Sequence, residues 1–318
     1  MNSTGTLVRL ATFGESHGPA MGGVLDGLPS RVYIDPEEIQ RVLDRRRPGA
    51  SPLTSQRMEP DRVELLSGIS ADGLTLGTPI GFIIRNTDQR SGDYAERFRP
   101  NHADFTYRTK YGINAYAGGG RASARETVNW VVGGALCREW LKTLGVKISA
   151  TFEETNSVEE ARNAGDSTGG IVHCVIEGLP VGLGEPVFDK LHARLAEAMM
   201  GINAAHAFEY GDGMAMAAMH GSECLDLFNT SGEDPTCLSN HNGGVLGGIS
   251  NGMPVNFTVY FKPTPTLMRE VPGMNPDGSP CAIPAKGRHD PCVAIRAVPV
   301  VEARAWMVIA DMWRMAGL

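Results

Sequence analysis

No regular strand–helix–strand beat runs through this 318-residue chain, and that absence constrains the fold more than any single motif does. Leu7 to Phe13, Gly22 to Asp26, Val63 to Leu66, Ile80 to Ile84 and Ile171 to Ile176 read as strands. Val255 to Phe261 alternates apolar and polar residues, the pattern of a half-buried strand. Asp35-Pro36-Glu37-Glu38 opens a helix with a capping aspartate, a proline in the first turn and acids at the positive end of the dipole. That helix should stop near Arg47, because Pro48-Gly49 follows. Ala124 to Leu144 is the longest helical pattern and meets a capping glycine at Gly145. Glu185-Pro186 predicts another helix reaching about Met200, and Val300 to Met315 a closing apolar one. The polar, aromatic stretch from Asn86 to Asn114 predicts a loop. Helices and strands mixed in this way predict an α+β fold with antiparallel sheets rather than a doubly wound parallel sheet. Without repeats, low-complexity tracts or a linker, the expectation is one domain over residues 1–318.

Charge narrows the function classes. The net charge is −7, which argues against a nucleic-acid partner. Of the 29 basic residues 23 are arginine, and ahead of Val128 only Lys110 breaks that rule. Arginine offers a planar, permanently charged fork suited to phosphate and carboxylate oxygens. An acidic chain with arginines gathered in one region points to a pocket for a small polyanion, although many of them must simply be solvated. No stretch has the roughly 20 apolar residues of a membrane span. The N-terminal segment lacks a basic start followed by an apolar run, so the expected location is the cytoplasm, with no membrane partner. Six scattered cysteines without a CxxC pair predict neither disulfides nor a metal centre.

Five clusters combine backbone-fixing residues with chemically active side chains. Gly14-Glu15-Ser16-His17-Gly18 follows a predicted strand and sets His17 on a tight turn, where an imidazole can exchange a proton near neutrality. The same residues also suit a capped turn holding a structural histidine, and alone they leave both readings open. Asp44-Arg45-Arg46-Arg47-Pro48-Gly49 places three arginines where they cannot share one helix face; Thr54 to Arg57 follow. Arg97 to Arg99 lead into Pro100-Asn101-His102-Ala103-Asp104, in the irregular segment where catalytic groups are often placed. Gly118-Gly119-Gly120-Arg121-Ala122-Ser123-Ala124-Arg125-Glu126-Thr127 is a glycine turn entering a helix, which offers backbone N–H groups and a positive dipole end to an anion; the same residues also suit a capped helix start with Ser123 as cap and Glu126 in the first turn, and both can hold together. Arg121 and Arg125, four apart, are expected on one side of that helix start. Arg288-His289-Asp290-Pro291-Cys292 puts a cation, an imidazole and a carboxylate side by side; a carboxylate beside arginine can act as a base, and the same residues also suit a surface salt-bridge turn. No glycine cluster is followed by the Lys-Ser/Thr of a phosphate loop or matches GxGxxG after a strand.

In this order, and spanning almost the whole chain, these motifs resemble the chorismate synthase family. Gly182-Leu183-Gly184-Glu185-Pro186-Val187-Phe188-Asp189, Ser239-Asn240-His241 and Lys262-Pro263-Thr264-Pro265-Thr266 complete the set. The resemblance implies a β-α-β sandwich, with antiparallel sheets around central helices, assembling as a homotetramer. It implies the anti-1,4-elimination of phosphate and a C6 hydrogen from 5-enolpyruvylshikimate 3-phosphate to give chorismate, with reduced FMN and no net redox change. By position, His17 would protonate the leaving phosphate, His102 would set the protonation of the flavin, and Asp290 would take part in removing the C6 proton. Ser16 and Ser123 would support that proton traffic. Arg46, Arg47 and Arg125 would hold substrate anions. Arg121, Ala122, Ser123, Asn203, Ala204, Gly247, Lys262 to Thr266 (Lys262, Pro263, Thr264, Pro265, Thr266) and Arg288 would contact FMN.

The chain also departs from the family pattern. Pro52 stands where an arginine or lysine is usual. Ala205-His206-Ala207-Phe208-Glu209 replaces Val-Lys-Gly-Val-Glu, beside Asn203 and Ala204, so a changed backbone turn or weaker flavin affinity is expected there. Ser149 to Asp166 is shorter than in many relatives, and Glu233 to Cys237 reads as a small insertion. The rival function is a non-catalytic flavin- or phosphosugar-binding relative, which loss of His17, His102 or Asp290 would mark; all three are present. Some family members also reduce their own flavin with NADPH.

Overall fold

In the computed structural model, residues 1–47, 49, 60–87, 97–115, 117–231, 236–285 and 290–318 are described. Arg288, His289, Pro48, Pro52, Thr54 to Arg57 and Glu233 to Pro235 lie outside the described residues, so the expectations resting on them have no structural account.

Two antiparallel sheets enclose a layer of helices. The first contains β1 (Ser3–Thr4), β2 (Arg9–Gly14), β3 (Ala20–Asp26), β4 (Val63–Leu65) and β5 (Ile80–Arg85), in the order β1-β2-β3-β5-β4. The second contains β6 (Lys147–Glu153), β7 (Gly170–Glu177), β8 (Ala205–Tyr210) and β9 (Val255–Phe261), in the order β6-β7-β9-β8. Register puts Leu10, Leu25 and Ile80 in one row of the first sheet, all buried. In the second, Val255, Phe257, Val259 and Phe261 face inward and alternate with partly exposed polar residues, as the sequence pattern requires.

The helices are α1 (Pro36–Arg46), α2 (Asp104–Tyr111), α3 (Thr127–Lys142), α4 (Val158–Asn163), α5 (Leu191–Met200) and α6 (Ala294–Ala316). Helices α3 and α6 form the middle layer. Gly133 of α3 faces Leu10 of β2, while Gly134 lies against the Ala303 backbone of α6. On the other side of α6, Glu302 accepts the Ala150 N–H of β6 (3.1 Å), and Ala294 packs against Gly170 of β7. Two consecutive glycines inside a helix cost about 1 kcal/mol each against alanine. Here the second one permits a close α3–α6 crossing. The expected β-α-β sandwich is therefore the observed fold.

Helix α1 starts and stops as predicted, with Asp35 Oδ1 accepting the Glu37 N–H (2.9 Å). Three expectations are corrected. Residues 185–190 form no helix: Gly184 (φ 99°) and Asp189 (φ 57°) turn the chain, the Glu185 N–H returns to the Asp189 carbonyl, and α5 begins only at Leu191. Helix α2 interrupts the predicted 86–114 loop; it buries none of its residues, so no apolar stripe announced it. Helix α6 begins at Ala294, six residues early, and runs through Pro299.

A ribbon of β10 (Val271–Met274) and β11 (Pro280–Ile283) completes the frame. It pins the loop before α2, since Phe98 exchanges backbone hydrogen bonds with Met274 and Arg97 Nη1 donates to the Ala282 carbonyl (2.8 Å). That loop carries His102.

Candidate active site

The turn after β2 is fixed before any side chain acts. Gly14 adopts φ 102°, and a Cβ there would lie 2.3 Å from the Ala20 carbonyl oxygen, so only glycine fits. The Gly18 N–H closes the turn on the Glu15 carbonyl (2.9 Å). Asn86, just past β5, braces it by donating from Nδ2 to the carbonyls of Glu15 (3.1 Å) and Gly18 (2.7 Å). Ser16 is buried, and its hydroxyl lies 3.2 Å from His17 Nδ1.

Behind this turn lies a buried charge cluster. Asp61 is fully buried and gives one carboxylate oxygen to each of two arginines: Arg46 Nη1 at 3.0 Å and Arg125 Nη1 at 2.5 Å. Both arginine side chains are only 3% exposed. Arg46 also donates from Nε to Thr127 Oγ1 (3.1 Å) and from Nη2 to the Ala124 carbonyl (3.3 Å), so all three nitrogens are engaged by the protein. Arg125 donates from Nε to Asn86 Oδ1 (3.1 Å), while its Nη2 is buried with no partner among the described residues. Such an orphan donor is costly to leave unmade, which is what an anion-binding group requires. On the far side, Arg296 donates to the Arg46 carbonyl (3.0 Å) and pairs with Asp290 (2.7 Å). The cluster therefore sets Arg46, Arg125 and Arg296 against Asp61 and Asp290. Burial pushes Arg46 down to about 9; Asp61 and Asp290 oppose that shift, while Arg296 and Arg125 add to it.

Arg121 makes a separate set of contacts. It forms a forked ion pair with Glu126 (3.0 and 3.3 Å) and donates to Thr12 Oγ1 (2.8 Å) over β2. Burial raises the Glu126 carboxyl despite Thr12, Arg121 and Asn129. Arg121 and Arg125 do not share a helix side, because extended Ser123 (ψ 145°) separates two 3-10 turns; its hydroxyl accepts the Arg125 N–H (3.3 Å). Burial likewise raises Glu15, against the Arg121 charge.

His102 joins a third group. Its Nδ1 lies 2.9 Å from the Pro100 carbonyl, which can only accept, so Nδ1 carries the proton. Nε2 is then the acceptor for the Thr266 hydroxyl (3.0 Å). Burial, reinforced by the Arg99 charge, lowers its pKa and keeps the ring neutral at pH 7. Asp104 does not serve His102; it takes a fork from Arg99 (2.8 and 2.9 Å), which overcomes burial and holds its carboxyl low. The Lys262 N–H donates to the Ala204 carbonyl (3.0 Å), and Asn203 Nδ2 to the Ala122 carbonyl (3.1 Å). Ala204 holds φ 67° at this crossing. An open cleft of about 470 Å³ lies between Pro100–Asn101 and Lys262–Pro265, within the size range of small-molecule sites.

The chain is similar to known proteins along nearly its whole length. The family model for chorismate synthase matches residues 8–157 and 150–314. The chorismate synthase of Christiangramia forsetii is 48% identical over 347 residues, covering 98% of this chain and 97% of that protein. That of Bacteroides thetaiotaomicron is also 48% identical, over 350 residues with the same coverage, and that of Synechococcus sp. is 47% identical. A crystal structure of chorismate synthase superposes with a TM-score of 0.78 at 27% identity, covering 98% of this chain and 93% of that one. The chain belongs to the chorismate synthase family. Its members are lyases of aromatic biosynthesis. The two matched segments meet at 150–157, inside the Ser149 to Asp166 stretch that reads as shortened.

Most residues that the family pattern nominates are thus drawn together. Ser16, His17, Arg46, Arg125 and Asp290 share one bonded network, His102 and Thr266 share another, and the segment from Arg121 to Ser123 runs between them. Two do not join. Arg47 is half-exposed and pairs with Asp44 (3.7 Å). Gly247 sits on the Val245–Ser250 hairpin, whose Gly248 receives the first N–H of α5, whereas Asn203 follows the other end of that helix, about 15 Å away at 1.5 Å per residue. The departure at His206 is a bulge: Ala205 pairs with Phe261 and Ala207 with Tyr260, leaving His206 as the extra residue beside Ala204. Sequence reasoning missed Asp61, Asn86 and Arg296, and gave Glu126 only a first-turn capping place rather than its ion pair with Arg121. Their only signal was a polar residue at an element's edge.

Proposed function

We propose that this protein converts 5-enolpyruvylshikimate 3-phosphate to chorismate by anti-1,4-elimination of phosphate and a C6 hydrogen, with reduced FMN bound. We further propose that it acts in the cytoplasm as a homotetramer of one-domain chains, residues 1–318. The carrying observation is the buried Arg46–Asp61–Arg125 cluster, whose Arg125 Nη2 has no partner among the described residues, tied through Asn86 to the turn of His17. A substrate with a phosphate and two carboxylates suits such a cationic site, fixed in place before the reaction begins.

His17 is the acid for the leaving phosphate, its ring held by the buried Ser16 hydroxyl. Asp290, steadied by Arg296, is the base for the C6 hydrogen. Ser123 receives the Arg125 N–H on its hydroxyl oxygen and keeps its own proton to donate. His102, neutral and with one fixed tautomer, offers a proton acceptor in the second cluster.

The 262–266 loop fits a flavin phosphate and ring edge, because Thr264 Oγ1 is buried without a partner among the described residues beside the open cleft. Arg121, Ala122, Ser123, Asn203, Ala204, Lys262 to Thr266 and Arg288 would hold FMN, with Gly247 as the outlying member. When bound, reduced FMN would supply the transient electron density that phosphate departure needs. NADPH is the proposed source of its reducing equivalents. Self-association draws support from Phe188, 84% exposed beside exposed Val187.

The test is anaerobic turnover with chemically reduced FMN, following phosphate and chorismate together. Equal appearance of both, absent with oxidised FMN, is expected; NADPH with oxidised FMN then shows whether the chain reduces its own cofactor. Tight binding of substrate and flavin without product would point to the non-catalytic alternative, and no binding of either would remove the site assignment.

A further inference from the structure

We infer that Asp61 is a positioning residue of this site: it aims Arg125 Nη2 at the substrate anion and, through Arg125 and Asn86, fixes the turn that carries His17. The inference rests on the proposed reaction. It begins with how Asp61 is held. Its backbone has φ 45°, a left-handed conformation that few residues other than glycine adopt and that aspartate tolerates better than most. Gln40 of α1 clamps that conformation, donating to the Asp61 carbonyl (3.2 Å) and accepting the Val63 N–H (3.3 Å). The carboxylate is thereby delivered, fully buried, between two guanidinium groups that would otherwise repel each other.

The sharing is unequal in its result. Arg46 is anchored through all three nitrogens by Asp61, Thr127 and the Ala124 carbonyl. Arg125 is anchored through two, by Asp61 and Asn86, and its Nη2 remains. Asp61 therefore converts a pair of mobile arginines into one fixed cation and one oriented donor. Because Asn86 holds Arg125 through Oδ1 and the Glu15 and Gly18 carbonyls through Nδ2, any displacement of Arg125 reaches His17 within two bonded contacts.

Asp61→Asn tests this with little change of shape. An amide can accept from only one arginine and turns an N–H toward the other, so one guanidinium loses its partner. The Michaelis constant for 5-enolpyruvylshikimate 3-phosphate should rise by about 30-fold, the usual scale for breaking a buried charge pair, with a smaller fall in kcat. A second readout separates positioning from plain structural damage. The charged groups facing Arg46 are Asp61, Arg125, Arg296 and Asp290. Removing the Asp61 charge deprives Arg46 of its nearest anion, so the alkaline limb of kcat/KM should move to lower pH. A single cooperative urea transition serves as the check of folding, because the proposed FMN contact Ser123 is itself bonded to Arg125.

A folded Asp61→Asn protein with wild-type KM and an unmoved alkaline limb would overturn the inference. If that variant does not fold, Gln40→Leu decides: loosening the clamp should raise KM several-fold at constant kcat, and an unchanged KM would overturn it equally. If the wild-type protein gives no product, the proposed reaction fails on its own. The inference is then judged by calorimetric binding of the same substrate, which Asp61→Asn must weaken by the same factor; absence of wild-type binding would end both.

Discussion

Two adjacent glycines in α3 should respond in opposite ways to the same substitution. In Gly134→Ala the new Cβ would lie 2.4 Å from the Ala303 Cα and 2.5 Å from its Cβ and carbonyl oxygen. Ordinary contacts fall at 3.4–4 Å, so backbone must move by about 1 Å. Overpacking of this kind costs about 1–3 kcal/mol or more, against about 1 kcal/mol gained by alanine's helix preference. The clash involves main chain on both helices and has no rotamer escape, so the loss wins. In Gly133→Ala the Cβ would meet the tips of Leu10 (3.0 Å) and Met307 (3.4 Å), which can shift by a few tenths of an ångström. There the helix preference wins or breaks even. Urea unfolding at one protein concentration should separate the two variants by about 2 kcal/mol at equal slope. Because Arg125 and Glu126 stand at the head of α3 and Arg296 near the start of α6, Gly134→Ala should also raise the substrate KM. Equal stability of the two variants, or a more stable Gly134→Ala, would refute the crossing geometry.

His17→Ala and Asp290→Asn should fold normally and lose at least about 100-fold in phosphate release, the usual scale for an acid or base; a wild-type rate in either removes that residue from the mechanism. His102 is held below its unfolded pKa of about 6.5 by burial, so its contribution to stability is complete above that pH and is lost as pH falls through the folded value. His102→Gln should therefore flatten the acid side of the stability curve, as read from urea midpoints below about pH 6.5. Arg121→Ala strands buried Glu126 and should cost about 3 kcal/mol, with weaker FMN binding; adding Glu126→Gln should recover part of the stability but not the flavin affinity.

The layers were legible because strands and helices here follow their own periods. The β9 alternation matches its buried and exposed faces residue by residue, and the Asp35-Pro36 start of α1 is local chemistry that needs no tertiary partner. What failed depended on distant packing. Glu185-Pro186 looks like a helix start, yet Gly184 is drawn against the Gly248 carbonyl and the chain turns instead. The apolar pattern begins at Val300, yet α6 starts at Ala294 and runs through Pro299, because it is so thoroughly buried between α3 and the second sheet that packing outweighs the lost hydrogen bond.

The site was legible where glycine or proline fixed the backbone and illegible where a single charge crossed the chain to meet its partner. Arg45, Arg46 and Arg47 look interchangeable as a run, yet the helix period distinguishes them. Ile39, Val42, Leu43 and Arg46 fall at i, i+3, i+4 and i+7, the buried stripe of α1, while Arg45 and Arg47 are half-exposed. An arginine on a buried stripe demands a carboxylate brought to it, because an unpaired charge there would cost several kcal/mol. The sequence therefore predicts that a partner for Arg46 must exist without saying where. Asp61, between Pro60 and Arg62, looks like any surface turn, and only the left-handed backbone and the Gln40 clamp reveal that it was placed for Arg46. Charges on apolar stripes are thus the positions from which a site of this kind can be sought, and their counter-ions are the residues that only the fold can supply.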